Sequence, residues 1–93
     1  RGFDILSRNP GTGEVRFIEV KGRAAVGEIA LTRNEFETAD RLKNDYWLYV
    51  LYNCATSCEQ HIIRNPARLG WQPIVKIDHY HLGPENILKS KGD

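Results

Sequence analysis

Asp4, Glu19 and Lys21 are the residues whose types and spacing could do chemistry. Glu19 and Lys21 sit two apart in Val15-Arg16-Phe17-Ile18-Glu19-Val20-Lys21, a run of strand formers, so alternation puts both on one face. Asp4 joins that face if the preceding strand folds back in the right register. With Pro10 to Gly13 as the loop, Asn9 pairs with Glu14. Counting back, Arg8 then meets Val15, Leu6 meets Phe17 and Asp4 meets Glu19. Residues directly opposite in this way have Cβ atoms ~4.5–5.5 Å apart, whereas a slip of one residue would turn Asp4 to the other face. Two carboxylates that close repel each other unless a cation lies between them. Hard oxygen donors of this kind suit Mg²⁺ or Mn²⁺. A lysine on the same face could orient a water or offset charge on a phosphate oxygen. Together these are the parts of metal-assisted phosphodiester hydrolysis. The plainer reading is a strand-edge salt bridge from Lys21 to Glu19 or Asp4, worth ~0–1 kcal/mol at a surface.

The elements that must position these residues can be read in outline. Arg1 to Arg8 is rich in strand formers. Asn9-Pro10-Gly11-Thr12-Gly13 is a turn cluster, because proline fixes φ and glycine tolerates positive φ. These two segments and Val15–Lys21 predict a β-hairpin. Gly22 to Gly27 reads as a loop. Thr32-Arg33-Asn34-Glu35 has the spacing of a capping box, opening a helix that carries Phe36, Ala39 and Leu42 on one side and ends near Asn44. Tyr46-Trp47-Leu48-Tyr49-Val50-Leu51-Tyr52 is the strongest strand, apolar enough for a central strand covered on both faces. Trp47 and Tyr49 are accordingly expected in the core rather than as a stacking platform for bases. Gln60 to Ile63 reads as a short strand, and Asn65-Pro66 as a cap and first-turn proline. Ile74 to Tyr80 reads as a further strand, Pro84 to Lys89 as a helical turn, and residues 89–93 as a solvated tail. The order predicts an α/β domain bordering on α+β, with a mixed sheet.

Other candidates are weaker. Arg23, just past the Lys21 strand, is placed to meet a backbone phosphate, and Arg33 lies beside it in the next element. Glu35 more simply completes the helix cap. Cys54, Cys58 and His61 have loose zinc-like spacing, which His79 or His81 would have to complete; two reduced thiols are the expected state. His79 and His81 are expected on one exposed strand face.

The segments Gly2-Phe3-Asp4-Ile5 and Phe17-Ile18-Glu19-Val20-Lys21 resemble the PD-(D/E)XK, or restriction-endonuclease-like, superfamily. More closely, Gly2–Ile5, Ile18–Arg23, Leu31–Glu35 and Tyr46–Val50 resemble the domain named for the C-terminal part of the plant protein NO VEIN. This likeness continues through Asn65-Pro66 and Trp71. It implies that Asp4, Glu19 and the Val20 carbonyl hold the metal while Lys21 assists the water. It also implies a restriction-endonuclease-like core over residues 1–88, here lacking its first helix. The partners implied are DNA or RNA, reached through a parent protein that carries a helicase-like ATPase domain. The alternative is a module of the same fold that binds nucleic acid or protein without cleaving. A third reading is a structural domain packed on such a neighbour, with an apolar face that would also favour a homodimer.

Composition bounds these readings. With 93 residues, 41% hydrophobic, one small domain is expected. Lys and Arg number 13 against 12 Asp and Glu, a net +1 that argues against nucleic-acid affinity from bulk charge. No apolar run approaches the ~18–20 residues of a membrane span. Two cysteines are too few for a disulfide scaffold, so a cytoplasmic, reduced setting is expected. The lack of methionine and the strand-like opening predict a piece of a longer protein.

Overall fold

The computed structural model describes residues 1–75 and 79–90. The chain begins with a hairpin of β1 (Ile5–Arg8) and β2 (Val15–Arg23), followed by α1 (Arg33–Leu42) and a 3-10 turn, Lys43–Asp45. Strands β3 (Tyr46–Tyr52) and β4 (Glu59–Arg64), a 3-10 turn at Pro66–Arg68 and the short helix α2 (Pro84–Lys89) complete it. The four strands form one sheet in chain order. The β1–β2 and β3–β4 pairs are antiparallel and β2–β3 is parallel, with α1 as the crossover. The architecture is a four-stranded mixed sheet with one main helix, an α+β arrangement.

Turn chemistry sets the hairpin register. The Asn9 side-chain oxygen accepts from the amides of Gly11 (2.8 Å) and Thr12 (3.3 Å), and Gly13 takes φ 77° to close the loop. The resulting pairs, Arg8 with Val15 and Leu6 with Phe17, are those the sequence predicts. The ladder stops at Ile5–Ile18, so Asp4 lies one residue beyond it and outside the strand. The expected strand from Arg1 is therefore shorter, whereas β2 runs two residues past Lys21 into the expected loop.

Helix α1 starts where the capping box predicts. Thr32 Oγ1 accepts from the Glu35 amide at 3.1 Å, and Glu35 Oε1 accepts from the Thr32 amide at 2.8 Å. The helix stops at Lys43, whose φ of 50° breaks the repeat. Its Thr38 and Ala39 are buried, while Phe36 stays at the rim against Trp71. Asn65 does not cap the following turn with its side chain; it adopts φ 53° and its amide bonds the Tyr46 carbonyl instead.

Most of the core lies on one side of the sheet, while Ile18 is buried on the other beside Trp47. Tyr46, Leu48 and Val50 alternate inward and are buried with Ala39. Trp47 and Tyr49 are not core residues: they face the opposite side and are half-buried. There the Arg16 guanidinium lies 3.7 Å from the Trp47 ring centroid and Arg64 lies 5.2 Å from it. Among the described residues no helix covers that side, which explains the difference from the expected doubly covered strand. The expected strand Ile74–Tyr80 falls partly on residues 76–78, outside the described set; Ile74, Val75, His79 and Tyr80 lie in no strand. Of the expected tail, Lys89 ends α2, and residues 91–93 are outside the described set.

Candidate functional site

The parallel register sets Glu19 beside Leu48 and Lys21 beside Val50, so both ionisable side chains emerge on the buried, helix-covered face. Glu19 is 3% exposed, and its Oε1 has no hydrogen-bond partner. Asp4 reaches this face from the chain before β1. Its Oδ2 accepts from the Val20 amide at 2.8 Å, in the place where a longer β1 would have bonded. A strand residue's N–H and C=O point to the same neighbour, so the Val20 carbonyl faces that gap too. The Asp4 and Glu19 carboxyls are within hydrogen-bonding reach of each other.

Asp4 is anchored by what precedes it. Gly2 has φ 80°, and a Cβ there would fall 2.2 Å from Thr38 Oγ1, so the backbone lies flush against α1. The buried Tyr46 hydroxyl donates to the Gly2 carbonyl at 2.7 Å. Lys21 closes the other side. Its Nζ is 2.9 Å from Glu35 Oε1 and 3.5 Å from Glu19 Oε2. An open cleft of about 1020 Å³ lies farther along the sheet, lined by Leu48, Val50 and Trp71 but by none of Asp4, Glu19, Lys21 and Glu35.

The electrostatics follow from this packing. The Val20 hydrogen bond holds the Asp4 carboxyl below its ordinary value. Burial, then the hydrogen bond with Asp4 and the charge of Glu35, raise Glu19 to about 7. Burial opposes the charged forms of Glu35 and Lys21 as well. The Thr32 amide and Lys21 nonetheless lower Glu35, and the bond to Glu35 nonetheless raises Lys21. Burial first, and then the carboxylates, raise the Tyr46 phenol.

The three principal residues singled out from the sequence, Asp4, Glu19 and Lys21, thus come together. Glu35 and Tyr46 belong with them and were assigned elsewhere, to a cap and to a strand. Tyr46 shares the alternation of Leu48 and Val50, which was the available signal; Glu35 gave only its local one. Arg23 and Arg33 stand outside the cluster. Arg23 is exposed and donates to the Glu28 carbonyl, and Arg33 is exposed at the first turn of α1.

Cys54 and Cys58 are not reduced thiols but a disulfide, formed because the short β3–β4 turn brings the two together. His61 pairs with Glu59 at 2.8 Å and packs against Tyr52. His79 and His81 are exposed. Among the described residues no group of three or more His, Cys, Asp or Glu is disposed to hold a metal. Also among them, no helix is long and apolar enough to cross a membrane.

A mixed four-stranded sheet whose second strand buries a glutamate between an aspartate and a helix-tethered lysine defines an α+β domain with a polar centre in its core. The chain belongs to the family described as Protein NO VEIN, C-terminal, whose model matches residues 1–63. That span includes the whole cluster and ends before Asn65, Pro66 and Trp71. No curated protein and no solved structure matches the chain.

Proposed function

We propose that this chain is a metal-dependent nuclease-like domain of the PD-(D/E)XK class, hydrolysing phosphodiester bonds within a larger nucleic-acid-processing protein. Glu19 carries the reading. A buried carboxylate with an unpartnered oxygen, facing a second carboxylate, destabilises the fold. A cation would satisfy that oxygen. Two carboxylates and a backbone carbonyl are a donor set for Mg²⁺ or Mn²⁺, which complete their shells with water and phosphate oxygens. Asp4, Glu19 and the Val20 carbonyl would hold it. When bound, such an ion polarises a phosphoryl oxygen and lowers the pKa of water.

The chain's own groups supply the rest. Asp4 stays ionised because the Val20 amide stabilises its charge. Lys21 stays protonated between two carboxylates, so it serves as a fixed positive charge and hydrogen-bond donor, not as a base. The buried Tyr46 and Leu48 beside it shield Glu19, 3% exposed, from bulk water, while Asp4 opens to solvent. Arg23 and Arg33, exposed nearby in sequence, are the candidates for contact with backbone phosphates.

Calorimetric titration with Mn²⁺ tests the reading. Wild type binds, and Asp4→Ala and Glu19→Ala, shown folded by circular dichroism, do not. Lys21→Ala keeps metal binding and loses cleavage of a DNA or RNA substrate. Absence of Mn²⁺ binding in wild type, or equal binding in both carboxylate variants, overturns it. A second reading, a binding module without catalysis, is favoured by the outer face, where Arg16 and Arg64 flank Trp47. It predicts nucleic-acid binding that needs neither Lys21 nor metal and is lost in Arg16→Ala.

A further inference from the structure

We propose that Glu35 is a positioning residue, whose carboxylate fixes the Lys21 ammonium beside Glu19. What Lys21 is used for rests on the nuclease reading; the way it is held does not.

A lysine carries its charge on a flexible four-carbon stem, so a defined ammonium position needs more than one anchor. Glu19 alone is a loose one, at 3.5 Å from Nζ. Glu35 Oε1 is at 2.9 Å and is itself fixed, because the same oxygen accepts from the Thr32 amide at 2.8 Å. A glutamate at the third position of a helix usually reaches back to the cap and otherwise meets solvent. This one is turned to the sheet, with its side chain 17% exposed and that of Lys21 23% exposed. The start of α1 is thereby tied to β2 across a separation of fourteen residues. The cap and the clamp share one carboxylate, yet they can be separated. Thr32 Oγ1 supplies the reciprocal half of the cap, to the Glu35 amide, and makes no hydrogen bond to Lys21.

The test reads the lysine ammonium directly, by proton–nitrogen correlation NMR of the ¹⁵N-labelled chain without metal or nucleic acid. A clamped ammonium exchanges its protons slowly enough to give a signal, which Lys21→Ala assigns by its loss. Thr32→Ala, which weakens the cap alone, keeps the signal. Glu35→Ala loses it, and Glu35→Gln recovers part of it, since an amide oxygen accepts from both donors. Retention in Glu35→Ala, or equal loss in Thr32→Ala, overturns the proposal. If Glu35→Ala fails to fold, Glu35→Gln against Thr32→Ala decides: a weaker signal in Glu35→Gln supports it and equal signals overturn it. Because no metal is present, failure of the Mn²⁺ titration and failure of this experiment are separate results. With a cleavable substrate and Mg²⁺, Glu35→Ala lowers kcat without raising KM, and Thr32→Ala leaves both unchanged.

Discussion

Replacing Glu19 by glutamine should stabilise the metal-free protein above neutrality, contrary to the usual result of altering a buried residue. The glutamate has a folded pKa of about 7 against an ordinary 4.5. A raised folded pKa means that its contribution is fully present below pH 4.5 and is lost as pH rises through 7. At about 1.4 kcal/mol per tenfold difference in proton affinity, the ionised form costs the fold roughly 3 kcal/mol at pH 8 and roughly 1 kcal/mol at pH 5. The wild type should therefore lose about 2 kcal/mol between those pH values through this one group. Glutamine has nearly the same shape and cannot ionise. The attraction of Lys21 is already part of that balance, so the variant gains about 3 kcal/mol at pH 8 and about 1 kcal/mol at pH 5. Urea unfolding followed by tryptophan fluorescence, with a chelator present, gives both values. With a slope of about 1–2 kcal/mol per molar, the midpoint at pH 8 rises by about 1.5–3 M in Glu19→Gln. Comparison with the variant cancels every titrating group that does not interact with Glu19. Equal midpoints for the two proteins at pH 8 would refute the reasoning, since Glu19 would then be satisfied inside the fold. Mn²⁺ at a thousand times its Kd should reverse the ranking, because only the wild type gains the ~4.1 kcal/mol that this confers.

Two further outcomes follow from the packing. Gly2→Ala meets Thr38 at 2.2 Å in a left-handed backbone, costing about 2–4 kcal/mol from strain and overpacking combined. It should lower the melting temperature and weaken Mn²⁺ binding by displacing Asp4; a variant that melts with wild type would mean that the chain entry is not anchored there. On the outer face, Arg16→Ala should lower the urea midpoint and alter Trp47 fluorescence, and Arg64→Ala should lower the midpoint less. The difference arises because Arg16 lies nearer the ring and also bonds the Tyr49 hydroxyl at 2.9 Å. Urea midpoints rank the two, and the opposite order would count against the stacking.

Much of the candidate site was legible because its signals are local or follow the two-residue period of a strand. Glu19 and Lys21 share a face by alternation alone, and the Asn9–Gly13 turn determines which residue of β1 comes opposite which of β2. Thr32 and Glu35, three apart, announce the helix start by a bond each makes to the other. The burial of Glu19 was not legible, nor was the pairing of Lys21 with Glu35. Both depend on α1 lying over that face of β2, a choice no short window contains.

The sequence by itself determined the hairpin and its register, the start of α1, the apolar run of β3 and the nomination of Asp4, Glu19 and Lys21. Each is encoded within a few residues, by turn chemistry, capping or alternation. The tertiary structure alone decided that β3 lies parallel to β2, that Trp47 and Tyr49 face away from the helix, and that Cys54 meets Cys58. It alone brought Gly2 under the Tyr46 hydroxyl and Glu35 to Lys21. These contacts join segments that share no periodicity. Their geometry is set by which apolar faces bury against one another, and the polar groups carried on those faces meet as a consequence.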